Sequence, residues 1–276
     1  MNINQVEKIS IKRFKDGILQ IAQDSVVVEE PLEIQLVYSS LNGKMTKNIS
    51  VTMRTPGNDE ELAIGFLFTE GIVAAYEMIS EVKEAASEQN RIQVILKEGI
   101  LPVLQSSDRN FYSSSSCGIC GKASIDAIQT ISAYPKTGDF IRLHALLLNG
   151  LQEILYKQQE IFEHTGGIHA CGLFTLKGEI LLAREDVGRH NALDKLIGAA
   201  LKQGLLPLDT HLLLLSGRAS FELLQKASMA GIKVVAAVGA PSSLAIEMAK
   251  EAGITLIGFL RQDRFNIYTG FERIES

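Results

Sequence analysis

Cys117-Gly-Ile-Cys120 is the pair of side chains in this sequence best suited to covalent chemistry. Two thiols at this spacing can bind zinc, cycle between dithiol and disulfide, or hold a transferable sulfur, and each route uses the thiolate. Gly118 and Gly121 remove bulk beside the sulfurs, and Ser113 to Ser116 precede them with small polar residues. That composition suits a loop that presents sulfur to a partner. Structural zinc sites use four ligands, and this chain has no second CxxC. A thioredoxin-like exchange centre expects an apolar strand before the pair, whereas Gln105-Ser-Ser-Asp-Arg-Asn stands near that place. The third cysteine, Cys171, sits in a predicted strand and reads as a small buried hydrophobe.

A second set of polar residues recurs where strands end. Arg184-Glu-Asp-Val-Gly-Arg-His-Asn, Ser216-Gly-Arg-Ala-Ser, Gly239-Ala-Pro-Ser-Ser and Arg261-Gln-Asp-Arg-Phe-Asn each follow an apolar run. Open parallel sheets bind ligands beyond the carboxyl ends of their strands, where helix amides point outward. Four such turns on one rim would form a crevice for phosphates and polar rings. Arg218, Arg261 and Arg264 are the candidate contacts, with Arg189 behind them. His190, Asn191, Asp194 and Lys195 share one half of a predicted helix, which either faces solvent or lines that crevice. His164 and His169 flank Thr165-Gly-Gly, a turn able to approach a ligand closely.

The elements that position these groups follow from periodicity. In the first half, Val26 to Val28, Leu32 to Tyr38, Ile49 to Met53 and Ile92 to Leu96 read as short strands. Asn58 followed by three acids predicts a capped helix that ends near Gly71. Ile125, Ile128 and Ile131 suggest a short helix after the cysteine pair. Ala133-Tyr-Pro-Lys-Thr-Gly-Asp is the linker, dividing an α+β domain over 1–134 from an α/β domain over 135–276. In the second half, Leu143, Leu147, Leu151, Ile154, Leu155, Ile161 and Phe162 mark one long helix. His169 to Leu176 and Glu179 to Glu185 form a hairpin around Lys177-Gly178. Helix and strand then alternate from Asn191 to Leu260. The continuous apolar strands predict a sheet buried on both faces, a three-layer α/β arrangement.

Composition narrows the function. The net charge of −5 supplies no global basic field for nucleic acid. No segment reaches the eighteen or so apolar residues that span a bilayer, and the first residues lack the apolar core of a secretory signal. Three cysteines make no disulfide framework. The expectation is a cytoplasmic protein that binds neither nucleic acid nor membrane and holds no structural metal.

Taken together, Arg54-Thr-Pro-Gly, Ser115-Ser-Cys-Gly-Ile-Cys-Gly, Thr165-Gly-Gly-Ile-His-Ala, Arg184 through Lys195, Ser216-Gly-Arg-Ala-Ser-Phe-Glu and Gly258-Phe-Leu-Arg resemble the FdhD family of formate dehydrogenase accessory sulfurtransferases. The resemblance spans nearly the whole chain. It implies a sulfur carrier that accepts persulfide sulfur from a cysteine desulfurase and passes it to the molybdenum bis(molybdopterin guanine dinucleotide) cofactor of a formate dehydrogenase catalytic subunit. It places the persulfide on Cys117, with Cys120 auxiliary. It places cofactor binding on Phe259, Leu260, Arg261, Gln262, Asp263 and Arg264, to which the rim adds Arg218 and His190. It implies a homodimer and a cytidine-deaminase-like scaffold. None of the five histidines is followed two residues later by Glu, so the zinc chemistry of deaminases is not expected.

Overall fold

The computed structural model describes residues 5–41, 43–84, 90–104, 134 and 141–276. It begins with a two-stranded ribbon, β1 (Val6–Lys15) and β2 (Ile18–Val27), antiparallel throughout. Asp16 and Gly17 join the strands at φ 53° and 81°. Positive φ at both central residues is the type I′ hairpin turn, whose twist matches that of the strands. This ribbon was not among the strands expected from the sequence.

Strands β3 (Glu30–Ser40), β4 (Gly43–Arg54), β5 (Ile79–Glu84) and β6 (Arg91–Leu96) form a four-stranded sheet in the order β4-β3-β6-β5. Alternate residues Leu32, Ile34 and Leu36, with Ile92, Val94 and Leu96, are buried. These residues make the core face, and on the opposite face Gln35 and Val37 are buried as well. Helix α1 (Asp59–Thr69) follows. Asn58 occupies its N-cap position, but in a left-handed conformation (φ 57°) and without a side-chain cap bond. The expected cap is thus one of position only, its carbonyl accepting from Leu62 N at 2.9 Å.

The second sheet has six strands in the order β13-β12-β11-β10-β8-β9. They are β8 (His169–Thr175), β9 (Ile180–Asp186), β10 (His211–Leu215), β11 (Val234–Ala237), β12 (Thr255–Gly258) and β13 (Asn266–Thr269). Strands β10, β11 and β12 are parallel, and the β8–β9 hairpin joins β10 antiparallel through β8. Both faces are buried, as the apolar runs require. Cys171, Leu173, Leu213, Leu215, Val235 and Ala237 belong to the core shared with α4 (Arg189–Lys202) and α5 (Phe221–Met229). Their neighbours Phe174, Leu212, Leu214, Val234 and Ala236 belong to a second cluster with Leu143, Leu148, Leu151 and Leu155. Helix α6 (Ser243–Ala252) completes the first of these layers.

The long helix expected over 143–162 is not continuous. The chain forms β7 (Leu143–His144), paired with β14 (Ile274–Glu275), then a 3-10 turn over Ala145–Gly150, α2 (Leu151–Tyr156) and α3 (Glu160–Thr165). The apolar stripe is real, since Leu143, Leu151 and Leu155 are buried. The backbone breaks at Gly150 and again before Glu160, where the Glu185 carboxylate accepts from the Ile161 and Phe162 amides at 3.1 and 3.0 Å. A carboxylate supplied from β9 thus starts a new helix where one helix had been expected to continue.

The largest apolar cluster draws on both halves of the chain, from Leu32 and Ile92 to Leu213 and Leu256. Helix α1 lies within it and buries Leu62, Ala63, Ile64, Gly65, Leu67 and Phe68, its polar residues being confined to the first turn and Thr69. It packs on α4 at a glycine-to-backbone contact. A Cβ added to Gly65 would collide with the Asp194 carbonyl, and one added to Gly198 with the Glu61 carbonyl. The polar half of α4 faces neither solvent nor crevice, because Asn191, Asp194 and Lys195 are all buried against the first half of the chain. Asp194 accepts from Thr69 Oγ1 at 2.8 Å and pairs with Lys226 Nζ at 2.9 Å. Lys195 Nζ pairs with Asp186 at 2.7 Å and donates to Thr55 O at 2.8 Å.

Alanine in place of a helical glycine ordinarily stabilises by about 1 kcal/mol. Here the added methyl meets a main-chain carbonyl that cannot rotate away. Gly198→Ala is expected to lower the unfolding free energy by about 1–3 kcal/mol in urea denaturation. A stabilised variant would show that the two helices do not approach as described.

Candidate functional site

Three parallel strands end on one rim of the large sheet, joined there by the end of β9 and the start of β8. Main-chain bonds stitch the turns to each other. Gly239 N donates to Gly217 O at 2.8 Å, Ser242 N to Ala219 O at 3.0 Å, and Phe259 N to Gly239 O at 3.1 Å. On the β8 side, Ser216 N donates to Ala170 O at 3.0 Å, and Ser216 Oγ accepts from Ala170 N at 2.8 Å. Glycine is required where the turns touch: a Cβ on Gly239 would stand 2.9 Å from Arg218 N. The four turns expected on one rim are therefore brought together.

Cations gather where β9 hands over to α4. Arg189 and His190 open this helix, and no acidic residue lies in its first turn. That is the reverse of what the helix dipole favours. Arg189 Nε is buried and has no hydrogen-bond partner among the described residues. Arg218 is exposed and forms no ion pair among the described residues. His169 faces the same place, since a Cβ on Gly217 would stand 3.2 Å from its Nδ1. Burial lowers the His169 pKa, and the charges of Arg189, His190 and Arg218 lower it further, against Asp186, which raises it. This arrangement offers charge to an anion, with an imidazole beside it.

His190 itself is buried. Its Nε2 lies 3.3 Å from Glu222 Oε2 and 3.4 Å from Ser220 Oγ, while Ser220 Oγ donates to the same carboxylate at 3.0 Å. The hydrogen bond from His190 is the main reason that the Glu222 pKa falls from 4.5 to about 2. His190 is thus tied to Glu222, and its part in the site is to hold the α5 start against the α4 start.

The C-terminal turn has mixed roles. Phe259 is exposed at 44% and holds φ 54°, a conformation rare for an aromatic residue. Leu260 is fully buried in the second apolar cluster, so its side chain cannot meet a ligand. Arg261 Nη1 donates to Val238 O and Leu260 O, both at 2.7 Å, which fixes its guanidinium over the end of β11. Gln262, Asp263 and Arg264 are exposed, and Arg264 O accepts from Arg261 N at 2.8 Å. Cys117 and Cys120 lie outside the described residues, as do Lys122 and the helix expected after them. Sequence reasoning missed Glu222 as the partner of His190, although it closes the Ser216 to Glu222 motif. It also missed Asp186, the carboxylate that anchors the start of α4.

A cavity of about 990 Å³ lies elsewhere, between the base of the ribbon, Arg54 to Glu61, and the β5–β6 strands. Its main charges are answered: Arg54 by Asp59 at 2.8 Å and Lys202 by Glu60 at 2.7 Å. Thr55 separates it from the rim, accepting from Val187 N at 3.2 Å. The rim has the unanswered charge, so the rim is the candidate site.

Two outcomes check this description. The paired Glu222 carboxylate adds stability at and above the ordinary carboxylate range and loses that contribution as pH falls toward about 2. In His190→Ala its midpoint is expected to climb back toward 4.5, followed by NMR of the carboxyl carbon. Cys171 is buried, and burial pushes its thiol far above the usual range. It is expected to resist iodoacetamide in the folded protein and to react only in concentrated guanidinium. Labelling of native Cys171 would contradict its place in the core.

Comparison with known proteins places the chain in a family. The family model described as FdhD/NarQ family matches residues 27–275. The chain is 48% identical over 258 residues to the sulfur carrier protein FdhD of Mycolicibacterium paratuberculosis, covering 91% of this chain and 92% of that one. It is 41% identical over 271 residues to the sulfur carrier protein FdhD of Sulfolobus acidocaldarius, covering 98% and 99%. The crystal structure of a protein from Desulfotalea psychrophila, described as a formate dehydrogenase accessory protein, superposes with a TM-score of 0.72 at 24% identity. It covers 98% of this chain and 100% of its own, and shows the same fold. The chain belongs to the FdhD/NarQ family.

Proposed function

We propose that this chain is a sulfur carrier that serves formate dehydrogenase. The observation that carries the reading is family membership over residues 27–275, with relatives at 41–48% identity that are sulfur carrier proteins. Sulfur arrives from a cysteine desulfurase. The Cys117 thiolate attacks the outer sulfur of the donor's cysteine persulfide, the donor cysteine leaves as thiolate, and the persulfide now stands on Cys117. Cys120 assists release and is not itself the anchor.

The client is the molybdenum bis(molybdopterin guanine dinucleotide) cofactor, the substrate of the transfer and not a resident group of the carrier. The rim suits its anionic part: Arg189 carries a buried Nε with no partner among the described residues, and Arg218 stands beside it uncompensated. Phe259 adds an exposed ring near the end of β12, and Gln262, Asp263 and Arg264 add polar groups. The sheet order β9-β8-β10-β11-β12, with a hairpin before three parallel strands, supports the deaminase-like reading of the scaffold. No helix of the described residues is long and apolar enough to cross a membrane. The carrier works in the cytoplasm as a homodimer, handing sulfur to the cofactor of the formate dehydrogenase catalytic subunit.

The two cysteines provide the test. Each single variant is loaded with a cysteine desulfurase and cysteine, and the added sulfur is mapped by mass spectrometry of peptides. Cys117→Ala is expected to lose both the one-sulfur mass gain and formate dehydrogenase activation. Cys120→Ala is expected to keep the mass gain. Sulfur found on Cys120 or Cys171, or still present in Cys117→Ala, would overturn the assignment.

A further inference from the structure

The β1–β2 ribbon ends at residue 27, where the family match begins, and most of its residues are exposed. Helix α3 packs beside it, and Ile9, Ile11, Ala22 and Val26, which share one face, are half-buried. The outer half is bare: Phe14, Ile18, Leu19 and Ile21 are between 66% and 79% exposed. A lone two-stranded hairpin is marginal in water, and three or more strands are needed for independent stability. Both edges of the ribbon are unpaired among the described residues.

The two edges differ in charge. Strand β1 carries Lys8, Lys12, Arg13 and Lys15 against the single acid Glu7, so two β1 edges brought together would bring net positive charge against net positive charge. From Ile18 to Gln23 strand β2 carries no charge, and its single charged residue is Asp24. Of the two edges β2 is the one with little charge to repel a second identical strand.

We infer that two copies of this chain meet by pairing their β2 edges, making one four-stranded antiparallel sheet. A two-fold axis forces identical strands to pair antiparallel. Centring it on Gln20 sets Leu19 opposite Ile21 of the second copy, and Ile18 opposite its Ala22. Within each ribbon Phe14 is already opposite Leu19, and Lys12 opposite Ile21. One face then carries Phe14, Leu19 and Ile21 from both copies as a continuous apolar band. The inference rests on the homodimer part of the proposed function, for which it supplies the interface, and is independent of sulfur transfer.

Sedimentation velocity of the full chain at micromolar concentration is the test. The wild type is expected to be dimeric. Leu19→Lys together with Ile21→Lys is expected to weaken the dimer by about a hundredfold or more while the monomer keeps its far-UV circular dichroism, because both positions are exposed within one copy. Gln20→Cys should link to its own copy on mild oxidation, seen as the self-linked peptide, because facing Cα atoms in such a pair are within disulfide range. Lys12→Cys, on the charged edge, should not. A dimer that survives both lysines, or linking through Lys12→Cys in place of Gln20→Cys, overturns the ribbon interface and leaves the homodimer standing. A monomeric wild type overturns both.

Discussion

A charge withdrawn from water must be met by fixed partners, because desolvation of a single ion costs several kcal/mol. Lys195 meets that demand at the centre of this molecule. Its Nζ lies 2.7 Å from Asp186, which ends β9, and 2.8 Å from the carbonyl of Thr55, which follows β4. Asp186 also accepts from Thr55 N at 3.2 Å, Gly188 N at 2.8 Å and Asn191 Nδ2 at 3.1 Å. One carboxylate therefore fixes the turn after the first sheet, the start of α4 and the end of a strand in the second sheet. The start of α4 carries Arg189 and His190, so the candidate site takes its position from this buried pair. The second pair, Asp194 with Lys226, does the same one turn further along by holding α5.

These pairs explain why α4 is polar on a face that never sees solvent. Periodicity placed His190, Asn191, Asp194 and Lys195 on one half of the helix, and that was legible. Their destination was not, because a helix pattern reports which residues share a face and says nothing of what covers it. The cover is the end of β4 with Thr55, and α1, which is apolar from Leu62 to Phe68. Its sequence pointed to deep burial, and the two facts joined would have suggested a buried polar seam between them. The glycines at 65 and 198 were silent in sequence, since a glycine inside a helix reads only as a weak spot.

The alternation from the β8–β9 hairpin to β12 was readable because each strand is a continuous apolar run of a length no helix needs. The rim turns followed directly from that alternation. The broken helix over 143–162 was not readable, since its interruption depends on the Glu185 carboxylate arriving from another strand. The ribbon was readable and passed over: Asp16-Gly17 between alternating residues is the short-range hairpin signal. Its exposed apolar tips obscured it, as such strands are usually recognised by a buried face. Leu260 shows the limit of carrying a motif across residue by residue, because a binding stretch includes positions whose side chains turn inward to hold it in place.

The rim turns are joined main chain to main chain, from Ser216 through Gly217 and Gly239 to Phe259. Their outline is set by atoms that every amino acid shares, apart from the glycines that the close approach demands. The side chains above that frame, among them Arg218, Gln262, Asp263 and Arg264, can be exchanged without redrawing it. Within a lineage this separates two kinds of inheritance: the shape of the crevice is hard to lose, and the taste of the crevice is easy to change.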